Sequence, residues 1–232
     1  MTLERWGREA QERVKSSRVL IAGAGGVSTS MALYLLAGGV GAVQLLDPHR
    51  VELADLSHQF LFKERDLGKP KAQVAARVLR EVNPFAVVES QAKALSEHNL
   101  PRLTSGFHLL IDASNNPTSA LLLNQAAVKL QVALVHAWVW NLNGRLGTFW
   151  PGQGPCLECQ PLNGGFDAEP ASLGPMTGII GALQALEALR ILGGMGPGLL
   201  GRLLVFRGHP FQFSETHLRP NLLCQRCQTK TI

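Results

Sequence analysis

Short apolar runs alternate with longer stretches of helical spacing along most of the chain. Arg18-Val-Leu-Ile-Ala22 is β-branched, apolar and closed by a glycine, which predicts a strand. Residues 27–37 are rich in Ala, Leu and Met, and Gly38-Gly39 ends them as a helix. Residues 42–46 read as the next strand, stopped by Asp47-Pro48. A loop over 49–66 leads to a helix over 69–82, where Val74, Val78, Leu79 and Val82 fall on one face. Asn83-Pro84 closes that helix, and 85–89 looks like a strand. The pattern continues with a strand over 108–112, a helix from about 118 to 130, and strands over 132–137 and 145–150. A Pro- and Gly-dense loop over 151–175 precedes the longest helix, 176–192, and a last pair of strands, 203–206 and 210–215. Ahead of all these, 3–16 is polar and helix-compatible, anchored by Trp6 and Val14. Strands alternating with helices predict an α/β fold with a mostly parallel sheet covered on both faces.

One window complicates that reading. No charged residue occurs from Val19 to Leu46, a length that can span a bilayer. Six glycines and two serines interrupt it, and the flanking N-terminus mixes acids and bases without a signal-peptide pattern. A buried strand–turn–helix–strand is the better reading, so no membrane association is expected and a cytoplasmic protein is. The 232 residues, 46% of them apolar, fit a single domain. The charge of +5 is scattered rather than clustered, which argues against nucleic acid as a partner.

Within the window, Gly23-Ala-Gly25-Gly26-Val-Ser28 stands where strand turns to helix. Glycines there let a phosphate approach the backbone, and the helix N-terminus offers free N–H groups. Asp47, ending the next strand, suits hydrogen bonds from ribose hydroxyls. The combination points to a mononucleotide or dinucleotide site. Close strand–helix packing is the competing use of the glycines, and Ser28 stands where a dinucleotide fingerprint has its third glycine.

The four cysteines form two pairs, Cys156-Leu-Glu-Cys159 and Cys224-Gln-Arg-Cys227. Paired Cys-x-x-Cys loops supply four thiolates to one tetrahedral Zn²⁺, and four thiolates leave no open position, so the ion is expected to be structural. Disulfides or a single redox pair are the alternatives.

Several motifs occur in an order that resembles the ThiF/MoeB/HesA family, bacterial relatives of ubiquitin-activating enzymes. They are the glycine turn, Leu45-Leu-Asp47, Gly68-Lys-Pro-Lys71, Asn83-Pro84, Pro155-Cys-Leu-Glu-Cys159, Gly181-Ala-Leu-Gln184-Ala-Leu-Glu187 and the closing cysteine pair. The resemblance implies a single Rossmann-like domain over 1–232. Its nucleotide-binding half is 1–130, and its carrier-docking half, 131–232, has some antiparallel strands and a zinc knuckle. It also implies adenylation, with Mg-ATP, of the C-terminal carboxylate of a ubiquitin-like sulfur-carrier protein ending in Gly-Gly. Gly23, Gly25 and Gly26 are then expected around the phosphates, Asp47 on the ribose, and Lys71 on the phosphates. Arg8 would reach the partner's ATP across a homodimer.

The chain departs from the family pattern at three positions around that ATP. Where the family has Asn-Leu-x-Arg-Gln, this chain has Asp55-Leu56-Ser57-His58-Gln59, so His58 replaces an arginine fork. Where it has Asp-x-x-Asp-Asn, whose second Asp binds magnesium, this chain has Asp112-Ala-Ser-Asn115-Asn116. The arginine one turn later is Ala120. Asp55, Asn115 and Asn116 are therefore candidate ligands of the nucleotide and its metal. Two further expectations follow: a catalytically silent binding or scaffold subunit on the same fold, and, from a different class, a nicotinamide-dependent oxidoreductase.

Overall fold

The structure is a computed structural model and describes residues 6–159, 172–221 and 223–226. Six helices, α1 (Arg8–Ser16), α2 (Gly26–Ala37), α3 (Lys71–Val82), α4 (Leu100–Thr104), α5 (Pro117–Leu130) and α6 (Gly174–Leu192), surround eight strands. The strands are β1 (Arg18–Ala22), β2 (Ala42–Leu46), β3 (Val87–Gln91), β4 (Leu109–Asp112), β5 (Ala133–Trp140), β6 (Asn143–Phe149), β7 (Arg202–Gly208) and β8 (Phe211–His217). They form one sheet in the order β3-β2-β1-β4-β5-β6-β7-β8. The first five run parallel, and β6, β7 and β8 extend the sheet antiparallel.

Alternation along each strand divides the core into two layers. Val19 and Ile21 of β1 face α2, α3 and α6, while Leu20 and Ala22 face α4 and α5. The uncharged window is thus β1, a turn, α2 and β2, buried because the sheet is covered on both sides. Among the described residues, no helix is long and apolar enough to cross a membrane. Helices α2 and α6 cross closely at Gly181, where a side chain would overlap the Val27 carbonyl. Gln184 of α6 donates to the Asp112 and Val135 carbonyls at 2.8 and 3.1 Å, tying that helix to the ends of β4 and β5.

Most boundaries fall within two residues of the pattern reading, and three departures have a clear local cause. β3 starts at Val87 rather than residue 85, because Asn83 Oδ1 accepts the Phe85 N–H in a turn and leaves the Phe85 ring 93% exposed. β5 runs three residues further, to Trp140, because β6 pairs with it from Leu134 to its end. The short helix α4 contains Pro101 and too few residues to show a period. The first residues of the expected 3–16 segment, and 160–171 of the expected loop, lie outside the described residues.

Candidate functional site

Chain connections leave β1 toward β2 on one side of the sheet and return to β4 on the other. A crevice opens at the carboxyl ends of strands at such a point. Here it holds two adjoining clefts of about 410 and 390 Å³, which share Gly23, Asp47, His49 and Ser114.

The glycine turn at the head of the larger cleft splits into two uses. Gly23 has φ +100°, and a Cβ there would overlap the Ala113 carbonyl, so this glycine lets the end of β1 pass against β4. Gly25 faces open space: the nearest atom to a Cβ there is Gln59 Nε2 at 3.8 Å. It caps α2 without any side-chain hydrogen bond, and no acidic residue occupies the first turn. The opening N–H groups and positive dipole end of α2 therefore meet the cleft without a side-chain cap, with the Asp47 carboxylate held just ahead of them by Ala24 N. At Gly26, Thr177 of α6 and His58 leave no room for a side chain.

Carboxylates line the walls, each fixed by donors. Asp47, at the end of β2, accepts from Ala24 N at 2.8 Å and from His49 N and Nδ1 at 2.8 and 3.0 Å. Asp55 accepts Lys71 Nζ and Gln59 Nε2, both at 2.7 Å on Oδ1, and Glu52 N at 2.7 Å on Oδ2. His58 sits between Ser57 Oγ and Gln59 Nε2, each 3.1 Å away. Arg50 reaches back to the Gly68 carbonyl at 2.6 Å. The far end of this loop is anchored by buried Asp66, which takes Lys69 and Arg77 at 3.1 Å and Lys63 N at 3.3 Å. Burial pushes the Asp66 carboxyl up, but the Lys69 hydrogen bond, the Arg77 charge and the Lys63 N–H together hold it below its ordinary value.

The end of β4 forms the opposite wall. Asp112 is fully buried and accepts Ser114 Oγ at 2.6 Å and Ser114 N at 3.1 Å, with His136 Nδ1 at 2.7 Å on its other oxygen. Asn115, at φ 51°, pairs its amide with the backbone of Val139 in both directions: Nδ2 donates to the carbonyl at 2.8 Å and Oδ1 accepts the N–H at 2.9 Å. A carboxylate could make only the second bond. Asparagine at this position therefore locks the β4 loop onto β5. Asn116 caps α5 by accepting Ser119 N at 3.0 Å, and it faces the smaller cleft. Ala120 is buried in the core beneath α5 and meets neither cleft.

Against Val128 of α5, the Sγ atoms of Cys156, Cys159 and Cys224 lie within 4.8 Å of one another, with separations of 3.8 Å (Cys156 to Cys159) and 3.7 Å (Cys156 to Cys224). Thiolates about 2.3 Å from one tetrahedral ion stand about 3.8 Å apart, so the three described cysteines fit such a group. Cys227 lies outside the described residues. The knuckle is tied to α5 by Asn124, which accepts Leu157 N and donates to Glu158 Oε1, both at 2.9 Å; Arg226 reaches the same oxygen at 2.9 Å.

The larger cleft therefore gathers Gly23, Gly25, Gly26, Asp47, Asp55 and His58, with Lys71 and Asn115 beside them. Arg8 stands exposed at the start of α1 and lines neither cleft. Gln59, Ser114 and Thr177 escaped the sequence reading, although Gln59 closes the quoted Asp55–Gln59 run.

The ThiF family pattern matches residues 1–226. The chain is 34% identical over 238 residues to the sulfur carrier protein adenylyltransferase of Thermus thermophilus, covering 98% of this chain and 88% of that protein. It is also 34% identical over 241 residues to the adenylyltransferase and sulfurtransferase MOCS3 of Drosophila persimilis, covering all of this chain and 53% of that one. It thus spans about half the length of the MOCS3 proteins it matches. Among solved structures, that of E. coli MccB with ATP superposes at a TM-score of 0.85, with 23% identity over 94% of this chain and 69% of that one. At that identity the superposition speaks to the fold, and it reproduces this one. On the match over nearly its whole length and the identity to these relatives, the chain belongs to the ThiF family.

Proposed function

We propose that this protein adenylates the C-terminal carboxylate of a small ubiquitin-like sulfur carrier, using Mg-ATP as substrate. The observation that carries the reading is the uncapped start of α2 beside open Gly25, flanked in one cleft by Lys71 and Asp47. Family membership favours it over the nicotinamide-dependent alternative.

The reaction forms a bond between a carboxylate oxygen and the α-phosphorus and expels pyrophosphate. Two anions must approach each other, so positioning and fixed positive potential are the main requirements. In this reading the N–H groups opening α2 donate to the phosphate oxygens. Lys71 and Arg50 balance charge on the departing pyrophosphate. Asp47 has three of its roughly four lone-pair directions filled and offers the remaining one, on Oδ2, to a ribose hydroxyl. The smaller cleft, with Ala22, Leu46, Pro48 and Leu95 on its walls, takes the base. Asn115 keeps the β4 loop in place rather than serving as a charged metal ligand. His58 contributes a ring edge against Gly26 instead of a guanidinium.

Cys156, Cys159, Cys224 and Cys227 are proposed to hold one structural Zn²⁺, which pins the C-terminal segment to α5 and takes no part in the chemistry. The division into a nucleotide half, 1–130, and a carrier-docking half, 131–232, and the homodimer in which Arg8 reaches a second subunit, belong to the same proposal. The commitment of Asn115 to Val139 favours a second reading, a binding subunit that holds nucleotide and carrier without turnover.

Intact-mass analysis of a Gly-Gly-ending carrier incubated with the protein and Mg-ATP decides between them. A carrier heavier by one AMP supports adenylation. An unmodified carrier that still binds the protein supports the silent subunit and removes the proposed activity.

A further inference from the structure

The larger cleft has a charge balance that polyphosphate binding does not require. Among the described residues that line it, two permanent cations, Arg50 and Lys71, stand against three carboxylates, Asp47, Glu52 and Asp55. A polyphosphate entering it meets no surplus of positive side chains.

The tightest pair is Lys71 with Asp55, 2.7 Å apart, with side chains only 12% and 11% exposed. Lys71 opens α3, where a cation opposes the helix dipole, and Asp55 answers that charge from the loop. Asp55 is itself fixed by Gln59 Nε2 and Glu52 N. Orienting Lys71 needs only a hydrogen-bond acceptor, which a neutral amide oxygen provides. The full negative charge goes beyond that need, and at this exposure little water screens it.

We infer that Asp55 sets the polyphosphate affinity of the cleft: it holds Lys71 on the wall and makes an incoming phosphate compete for it. This rests on the nucleotide reading above. If Asp55 served only to orient Lys71, Asp55→Asn, which keeps the acceptor, would leave binding unchanged or weaken it. A competing role makes the same change strengthen it, and loss of structure does not mimic a gain.

The test is calorimetric titration of the whole chain with ATP, ADP and AMP at low salt. Asp55→Asn is expected to bind ATP about tenfold tighter or more, the scale of one partly buried charge removed, with a smaller gain for ADP and the smallest for AMP. The gain should shrink as salt is raised. It should also vanish when Lys71→Ala is added. Glu52→Gln removes a charge from the same cleft without touching Lys71 and is expected to gain less. Should Asp55→Asn fail to fold, Asp55→Ser carries the same expectation. Equal or weaker ATP binding by the Asp55 variants, with wild-type binding intact, overturns the proposal alone, as does an equal gain from Glu52→Gln. Absence of ATP binding in every variant overturns it together with the nucleotide reading.

Discussion

The parallel and antiparallel halves of the sheet each concentrate polar side chains, but they leave different things open. Around the ends of β1, β2 and β4, Asp47, Asp55 and Asp112 are each held by three backbone or side-chain partners. What lacks a side-chain partner there is backbone, at the start of α2. In the antiparallel half, three thiols converge beneath α5, and Asn124, Glu158 and Arg226 bind the knuckle to the helix. Outside that knuckle, Phe206 is the one buried residue of β7, and every described residue of β8 is half-buried or exposed. One cluster holds a cleft open; the other closes a peripheral segment onto the core. Ligand binding belongs where the fold leaves donors unpaired, and fold retention belongs where it pairs everything.

The largest test of that contrast lies in the cysteines. Cys156→Ser is expected to lose the zinc, near one ion per wild-type chain by elemental analysis, and to cost several kcal/mol in thermal denaturation. ATP affinity should be retained in whatever fraction stays folded, because none of the described cysteines lines either cleft.

Lys71→Ala acts in the opposite sense. It is expected to slow ATP–pyrophosphate exchange about 10²–10³-fold, with a much smaller change in melting temperature.

The two glycines sharpen the comparison inside one turn. Gly23→Ala forces a Cβ against Ala113 at φ +100° and is expected to destabilise by about 2–3 kcal/mol in urea unfolding. Gly25→Ala meets nothing closer than 3.8 Å, so stability should change by less than about 1 kcal/mol while ATP affinity falls. A reversed order would assign the phosphate approach to the wrong glycine.

The smallest effect concerns Asp66. Because its folded-state pKa is depressed, its contribution is present above the unfolded value, roughly pH 4, and is lost as the pH falls through the lower folded value. The stability deficit of Asp66→Asn at neutral pH should therefore disappear in acid.

Pattern alone reaches β2, bounded by Gly41 and Asp47, because four of its five residues are apolar and the strand is buried from Val43 onward. It also reaches the glycine turn with Asp47, and the thiol group, since those chemistries depend on local spacing. It misplaces the start of β3, where the exposed ring of Phe85 imitates a strand residue. The pairings that shape the cleft are nonlocal: Lys71 meets Asp55 across 16 positions and Asn115 meets Val139 across 24. Neither follows from periodicity. Asn115 read as a weakened metal ligand shows its other use only once β5 lies beside the β4 loop.

The most direct measurement of the central claim is exchange of labelled pyrophosphate into ATP, with and without a small ubiquitin-like protein ending in Gly-Gly. The account predicts magnesium-dependent exchange that requires the carrier's free C-terminal carboxylate and is nearly lost in Lys71→Ala. Exchange absent with a carrier that demonstrably binds, or proceeding at the wild-type rate in Lys71→Ala, would contradict it.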